Sequence, residues 1–178
     1  MHINLFQLIL RQPYQSLPEP LKRFHETRLG QFEGKATVRG SQGMLARMLR
    51  KLGGFPEPVS QEVDITLKVI RSESQERWLR NIGTARFSSA LTRINSENVL
   101  SEDFGLLRFR FSLSVRDERI HWNLVGWSFA GIPMLDDVGP EATVWEGVNA
   151  NGNYEFAVKI ELPLVGVLMD YSGWLDCK

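Results

Sequence analysis

The feature that most constrains this chain is a regular alternation of apolar and polar residues between Leu106 and Phe129. Apolar side chains occupy every second position from Leu107 to Val115, with arginine or serine between them. A period of two is typical of a strand with one buried face. A second apolar strand returns from Ile120, and Asp117-Glu118 lies between the two. We therefore predict a β-hairpin at the centre of the fold.

The same alternation predicts the hairpin register. A one-residue slip would place Trp122 opposite a serine and move the apolar set to the other face. Asp-Glu is poorly suited to a two-residue turn, which needs positive φ, and a four-residue loop would keep the same register. Beyond Gly126 the parity reverses, which indicates a bulge, a sharp coil or burial on both faces. The predicted pairs are Val115 with Ile120, Leu113 with Trp122, and Phe111 with Leu124.

Most of the remaining chain predicts further strands joined by short connections. Two short helices are expected in the first 30 residues, interrupted at Pro13. The polar stretch 95–105 is interpreted as a connection. Sequential strands without long helices between them favour an antiparallel meander over a parallel sheet. The predicted strands outside the central hairpin cover residues 32–38, 63–69, 76–82, 86–91, 167–175 and both sides of Asn151-Gly152.

Asn151-Gly152 is the strongest turn signal in the chain, because both residues accept positive φ. A two-residue turn there places Trp145 opposite Val158 and Gly147 opposite Phe156. A five-residue loop would instead place Glu146 opposite Phe156 and bury a carboxylate. We favour the two-residue register for that reason.

These elements predict one domain over residues 1–178, in the α+β class and rich in β-structure. We expect about nine strands in a strongly curved antiparallel meander sheet or open barrel, because a sheet of that size curls, splits or closes. Short N-terminal helices are expected to pack on its face or across its mouth.

A compact amphipathic helix is predicted over residues 44–52. Its apolar stripe is Leu45, Met48, Leu49 and Leu52, and basic residues lie opposite. Residues 35–51 hold five basic side chains and no acidic one. We expect the apolar stripe to dock on a sheet, and the alternative is a helix that lies on a membrane surface.

Charge and composition constrain the class of partner. The chain has 21 basic and 21 acidic residues, which removes the electrostatic argument for nucleic acid. Residues 130–178 carry eight acids against Lys159 and Lys178, and two solvated faces of one domain are the simplest explanation. The single cysteine, Cys177, fits a reducing compartment. With no convincing signal peptide or transmembrane segment, we expect a cytoplasmic protein.

The sequence contains no recognisable motif for a cofactor, a metal or a catalytic nucleophile. No Gly-x-Gly-x-x-Gly follows a predicted strand, and the histidines lack metal-ligand spacing. Asp136-Asp137 offers too few oxygens to hold a cation alone. Catalysis by His25 or His121 with Glu33 or Glu76 is a weaker option that no spacing supports.

A cluster of basic and aromatic residues is the candidate ligand site. The predicted register places Arg110 opposite Val125 and Arg108 opposite Trp127, on one face with His121 and Asn123. If helices cover that face, the arginines could bind a carboxylate or phosphate. Otherwise it is a solvated outer face. The candidate ligand-binding residues are Arg80, Arg86, Arg108, Arg110, His121 and Trp127.

Several motifs resemble a bacterial family of domains of unknown function. They are Gly126-Trp127 followed by Gly131-Ile132-Pro133, the stretch Leu162 to Gly166, and Tyr171 followed by Gly173-Trp174-Leu175. The resemblance implies a domain that occurs alone or fused behind a saccharopine-dehydrogenase-like NAD-binding module. The resemblance implies no settled reaction. It does imply an accessory role to an oxidoreductase.

Two functional hypotheses follow. The first is a non-catalytic binding module, in which the curved sheet and helices enclose an apolar or amphipathic small molecule. The second is an interaction domain that docks on a dehydrogenase-like partner or on a copy of itself and has no ligand of its own.

Overall fold

The chain forms a closed antiparallel β-barrel, seen in a computed structural model that describes residues 3–72, 74–94, 98–134 and 139–177. Ten strands close the barrel and the two-residue strand β8 lies outside it. The expected β-rich meander is therefore confirmed, and the sheet is closed. The strands are β1 Leu29–Arg39, β2 Val63–Arg71, β3 Gln75–Ile82, β4 Ala85–Ile94, β5 Val99–Asp103, β6 Leu107–Arg116, β7 Arg119–Phe129, β8 Ile132–Pro133, β9 Glu141–Val148, β10 Tyr154–Leu162 and β11 Gly166–Asp176.

Each barrel strand pairs with its neighbours in the chain, and β1 pairs with β11 to close the ring. Closure satisfies the hydrogen-bonding groups that an open sheet would leave at its edges. Gly34 faces Leu175 and Gly173 faces Ala36 across this last pair. A Cβ at either glycine would collide with a backbone carbonyl of the opposite strand. The two glycines therefore permit the close approach of β1 and β11.

Helices cover one end of the barrel, which we call the plugged end. Helix α1 (Leu5–Leu10), a 3₁₀ helix (Gln12–Ser16) and helix α2 (Glu19–Glu26) precede β1. Phe6 lies 5.7 Å from the ring of Trp122, and Phe24 stacks 4.0 Å from the ring of Tyr154. These rings are buried, so the N-terminal segment completes the hydrophobic core.

Helix α3 (Met44–Gly53) connects β1 to β2 at the opposite end, which we call the α3 end. Its predicted docking face is correct at Leu49, which packs against the core, but wrong at Leu45 and Met48. Ala46 and Arg50 are the buried residues, whereas Leu45 and Met48 are exposed. The guanidinium of Arg50 hydrogen-bonds to Glu57 and to the backbone oxygen of Ser41, both outside the helix. These bonds allow a charged side chain to occupy the buried face of α3.

The central hairpin is confirmed with a two-residue turn. Asp117 and Glu118 both adopt positive φ, 50° and 59°, although neither is glycine. The predicted pairs from Val115–Ile120 to Phe111–Leu124 are correct. A bulge then shifts the register, so that Arg110 faces Gly126 and Arg108 faces Ser128. The predicted pairs Arg110–Val125 and Arg108–Trp127 are wrong because of this bulge.

The register of the last hairpin is also corrected. Glu146 faces Phe156 and Trp145 faces Ala157, so residues 149–153 form a five-residue loop. The carboxylate of Glu146 is buried, as that register requires. Gly152 still adopts positive φ, at 78°, but as part of the longer loop.

The stretch 95–105 also differs from the prediction, because it contains β5. Leu100 and Glu102 on this strand are buried. Glu102 faces both Leu91 of β4 and Phe109 of β6, two residues of the core. Residues 95–97 and the Asp136-Asp137 pair lie outside the described residues. Within the described ranges, no helix is long and apolar enough to cross a membrane.

Candidate functional site

The barrel interior contains charged side chains among its apolar ones. Glu76 and Arg80 on β3 alternate with exposed residues and are buried. Glu102 on β5 and Glu146 on β9 are buried in the same way. Buried charges are costly unless they are paired and hydrogen-bonded. Their partners therefore show how the interior is organised.

Arg80 lies at the centre of the first cluster. Its Nη2 donates to Glu102 Oε1 at 3.0 Å and its Nη1 donates to Ser89 Oγ at 2.7 Å. Ser89 Oγ in turn donates to Glu102 Oε1 at 2.6 Å. The guanidinium carbon also lies 5.0 Å from the Trp78 ring centroid, within cation–π range. Burial lowers the pKa of Arg80, but Tyr171 and Glu102 more than offset it, so the pKa is raised and the charge is retained.

His25 and Glu146 form the second cluster. His25 lies on α2, and its Nε2 donates to Glu146 Oε2 at 2.7 Å. Both side chains are buried. The imidazole ring also lies 3.8 Å from the ring of Phe6. This pair therefore links the helical plug to the barrel wall.

Tyr154 and Tyr171 also line the interior next to these clusters. Burial raises the pKa of Tyr154 well above 10, and Glu146 contributes in the same direction. Burial also raises the pKa of Tyr171 to about 12, although Arg80 partly opposes this. Both phenols are consequently uncharged at neutral pH and able to donate hydrogen bonds.

A central cavity lies between the two clusters. Its volume is about 40 Å³, which at roughly 10–15 Å³ for each water centre holds about three waters. A ligand larger than a few atoms must therefore displace side chains. Apolar groups from β2, β9, β10 and β11 form most of the wall. The polar residues lining it are Arg80, Glu102, Glu146, Tyr154 and Tyr171.

A second, smaller cavity of about 30 Å³ lies under the helices at the plugged end. Arg71 Nε is 3.0 Å from Glu76 Oε2, which also accepts a hydrogen bond from Trp78 Nε1. His25 Nδ1 and Glu76 Oε1 are buried without a hydrogen-bond partner among the described residues. A cavity of this size and polarity holds about two waters.

The six predicted ligand-binding residues do not form one site. Arg80 faces the central cavity. Arg86 and Arg108 are exposed, and Arg108 pairs with Asp103 at 2.6 Å. Arg110 and His121 are half-buried on the outer face. The guanidinium of Arg110 lies over Gly126, and burial together with Arg116 lowers the pKa of His121.

Trp127 lines an open groove on the outside of the barrel together with Arg108 and Arg110. It faces Phe109 across the hairpin and packs against the core. Arg86, Arg108, Arg110 and His121 lie on the outside of the barrel, and the helices of the plug do not cover them. The predicted outer residues thus line an open groove, whereas the central cavity is lined by inner residues such as Arg80.

Sequence reasoning missed Glu102 and Glu146 as site residues, and it named His25 only as a weak catalytic option with Glu33 or Glu76. The sequence does contain a signal for Glu102. Leu100 and Glu102 are two residues apart, so they lie on the same face of a strand over Val99–Asp103. Glu146 was excluded by the argument that its register would bury a carboxylate. No local signal identified His25 as its partner, 121 residues away.

Within the described residues, no group of three or more His, Cys, Asp or Glu side chains could hold a metal ion. The interior charges are paired with one another. Such an arrangement can fix the orientation of a bound polar group by hydrogen bonds.

The fold and interior define an antiparallel β-barrel domain with a helical plug and a polar cluster in an apolar cavity. The chain belongs to the family described as a domain of unknown function, DUF4166, whose family model matches residues 17–175. The match runs from just before α2 nearly to the end of β11, so the expected resemblance to a domain of unknown function is confirmed. No curated protein matches the chain.

Proposed function

We propose that the barrel is a binding module that encloses an amphipathic small molecule in its central cavity. The observation that supports this most directly is the buried Arg80–Glu102–Ser89 cluster in the wall of an otherwise mainly apolar cavity. Cavities that bind small molecules combine an apolar lining with a few convergent polar groups in this way.

The charges of the cluster suggest the polarity of the ligand. Arg80 is already paired with Glu102, and Glu146 lies in the same wall. A carboxylate ligand would meet two carboxylates, and a cation would meet the guanidinium. A neutral polar end, such as a hydroxyl or carbonyl group, hydrogen-bonds to these groups without a net charge penalty. We therefore expect an uncharged amphipathic ligand whose apolar part lies against Phe156, Ile160 and Met169.

Entry requires side chains to move, because the cavity of about 40 Å³ is smaller than such a ligand. The plugged end is closed by Phe6, Phe24 and the His25–Glu146 pair. We place the entry at the α3 end, where the strands are joined by loops and helix α3.

The test is a titration with the neutral fluorescent probe N-phenyl-1-naphthylamine. We expect saturable binding to one site. Val144→Phe places a larger side chain in the cavity wall and should weaken binding by roughly tenfold or more. Thr143→Phe, on the exposed face of the same strand, is the matched control and should bind like the wild-type protein.

Thermal unfolding of both variants checks that they remain folded. Equal probe binding by folded Val144→Phe and by the wild-type protein would contradict the proposal. Nondenaturing mass spectrometry of the purified protein would add the mass of any natural ligand.

A further inference from the structure

Helix α3 presents three large apolar side chains to solvent, although Leu49 on the same helix packs against the core. Met44 is 88% exposed, Leu45 46% and Met48 51%. Ala46 and Arg50, one turn apart, face the protein instead and are buried. A helix docked in the ordinary way would bury the stripe, so this orientation needs a cause.

Arg50 holds the helix in this orientation. Its Nη2 donates to the backbone oxygen of Ser41 at 2.9 Å, and its Nε donates to Glu57 Oε2 at 3.1 Å. Arg50 is fully buried although Glu57 is half exposed, and a buried charge that loses its partners is strongly unfavourable. Rotating the helix to bury Leu45 and Met48 would break these bonds. The exposed stripe is thus fixed by the structure.

Further apolar side chains are exposed at the same end of the barrel. Leu164, in the β10–β11 turn, is fully exposed, and Leu106 and Ile132 are each about two-thirds exposed. The backbone N–H of Ser41 donates to Val167 O at 2.9 Å, so the β10–β11 turn lies beside the start of α3. We define the α3 surface as Met44, Leu45, Met48 and Leu164 together with the exposed cations Arg47 and Lys51.

The charges on α3 itself are all positive, and the nearest acids in the sequence follow the helix, at Glu57, Glu62 and Asp64. The segment from Lys35 to Lys51 contains no acidic residue, and Arg47 and Lys51 flank the apolar stripe. Glu57 is neutralised by Arg50, and Asp64 pairs with Lys35 at 2.7 Å. Exposed apolar side chains flanked by cations are typical of helices that lie at the surface of an anionic bilayer.

We propose that the α3 surface docks on the surface of a lipid bilayer that contains anionic phospholipids. The apolar side chains enter the boundary between headgroups and acyl chains, and Arg47 and Lys51 contact lipid phosphates. A second copy of the chain fits less well, because two α3 surfaces would bring like charges together. This docking does not depend on a ligand inside the barrel.

Co-sedimentation with large vesicles tests the proposal. We expect binding to vesicles of phosphatidylcholine mixed with phosphatidylserine, and much weaker binding to phosphatidylcholine alone or at high salt. Arg47→Glu combined with Lys51→Glu should reduce partitioning by more than ~tenfold. Leu45→Ser combined with Met48→Ser should reduce it even where the charges are intact.

Matched controls lie at the plugged end. Leu29→Ser removes a side chain that is 68% exposed, and Arg116→Glu reverses an exposed cation, so both should bind vesicles like the wild-type protein. All four substituted sites on α3 are exposed, so thermal unfolding should change little.

Three results would overturn the proposal. One is equal partitioning into neutral and anionic vesicles by wild-type and variant proteins. Another is absence of vesicle binding together with a concentration-dependent dimer that Leu45→Ser abolishes, which would make the α3 surface a self-association site. A co-purifying protein lost with the same substitutions, again without vesicle binding, would assign the surface to a protein partner.

Discussion

Arg80 is a buried cation inside a closed barrel. Its hydrogen bonds to Ser89 and Glu102 compensate for the loss of its hydration. A buried ion pair gains little over a well-packed apolar pair, but an unpaired buried charge is strongly destabilising. The pair is therefore a poor source of stability for its own sake, which agrees with a role in orienting a ligand.

The first prediction concerns this pair. Glu102→Leu should lower the free energy of unfolding by about 3–5 kcal/mol, because it leaves the guanidinium unpaired. Adding Arg80→Met to the same protein should restore much of that loss. Urea unfolding of the wild-type, single and double variants measures the coupling, and additive losses would contradict it.

At the residue scale, local rules predicted most inward positions. Phe32, Ala36, Ile65, Leu67, Phe109 and Phe111 follow the period of two and lie in the core. The predicted register of Glu146 was wrong because the five-residue loop was rejected on the ground that it buries a carboxylate. Its partner His25 comes from a distant helix, and a local pattern contains no information about that contact. Local sequence patterns therefore do not predict where a charged residue lies when its partner is distant in the chain.

At the scale of elements, the pair β1–β11 depends on two glycines. Gly34 and Gly173 lie where the backbones of the two strands approach most closely, so an added methyl group has no room. Glycine at a close backbone approach or sharp bend is common in barrels. Side chains at these positions would force the first and last strands apart.

Gly34→Ala should accordingly destabilise the protein by at least about 2 kcal/mol, although alanine usually favours a folded backbone over glycine. Gly43→Ala is the matched control, because no atom lies within 4 Å of the added Cβ. Its effect should stay within about 1 kcal/mol, the cost of alanine in place of glycine at the N-cap of α3. Differential scanning calorimetry measures both, and indistinguishable melting temperatures would contradict the close approach.

Helix α3 shows why an element can be predicted while its orientation is not. Its existence and limits follow from the apolar spacing and from Gly53-Gly54, which ends it with a left-handed cap. Its buried face depends on Arg50, whose partner Glu57 lies seven residues further on, beyond the helix. The hydrophobic pattern alone ranks Leu45 and Met48 as the inner face.

At the scale of the whole molecule, all three tyrosines of the chain have raised pKa values. Burial is the largest cause for each. Burial likewise raises the pKa of the Cys177 thiol from 9.0 to about 11. The folded barrel therefore keeps its protons at pH values where the unfolded chain loses them.

Stability should consequently fall with rising pH above about 10. The unfolded tyrosines ionise near their ordinary pKa of 10, whereas Tyr171 in the barrel ionises only near 12. The contribution of Tyr171 to stability is fully present below pH 10 and is lost as the pH rises towards 12. Phenolate absorbance and circular dichroism should change together in one cooperative step.

Independent ionisation of the tyrosines near pH 10, with an unchanged circular dichroism spectrum, would contradict their burial. Burial of Cys177 can be measured separately. Its alkylation by iodoacetamide should be slow below pH 10, because the thiolate is the reactive form and the thiol has a raised pKa.

The meander and its approximate strand number were predictable because neighbouring strands pair in sequence order. Closure was not, since the partner of β1 is the last strand and no local pattern connects Gly34 with Leu175. The choice between an open sheet and a closed barrel depends on that single long-range pair.

The same pair has a consequence for biosynthesis. The ring of hydrogen bonds cannot be completed until β11 has left the ribosome. The barrel therefore stays open while the earlier strands are synthesised. A nascent chain that stops within β10 leaves β1 and β10 as two unpaired edges, which favour pairing with other chains. Folding of this barrel should therefore be slow, and truncation of β11 should yield aggregates rather than a nine-stranded barrel.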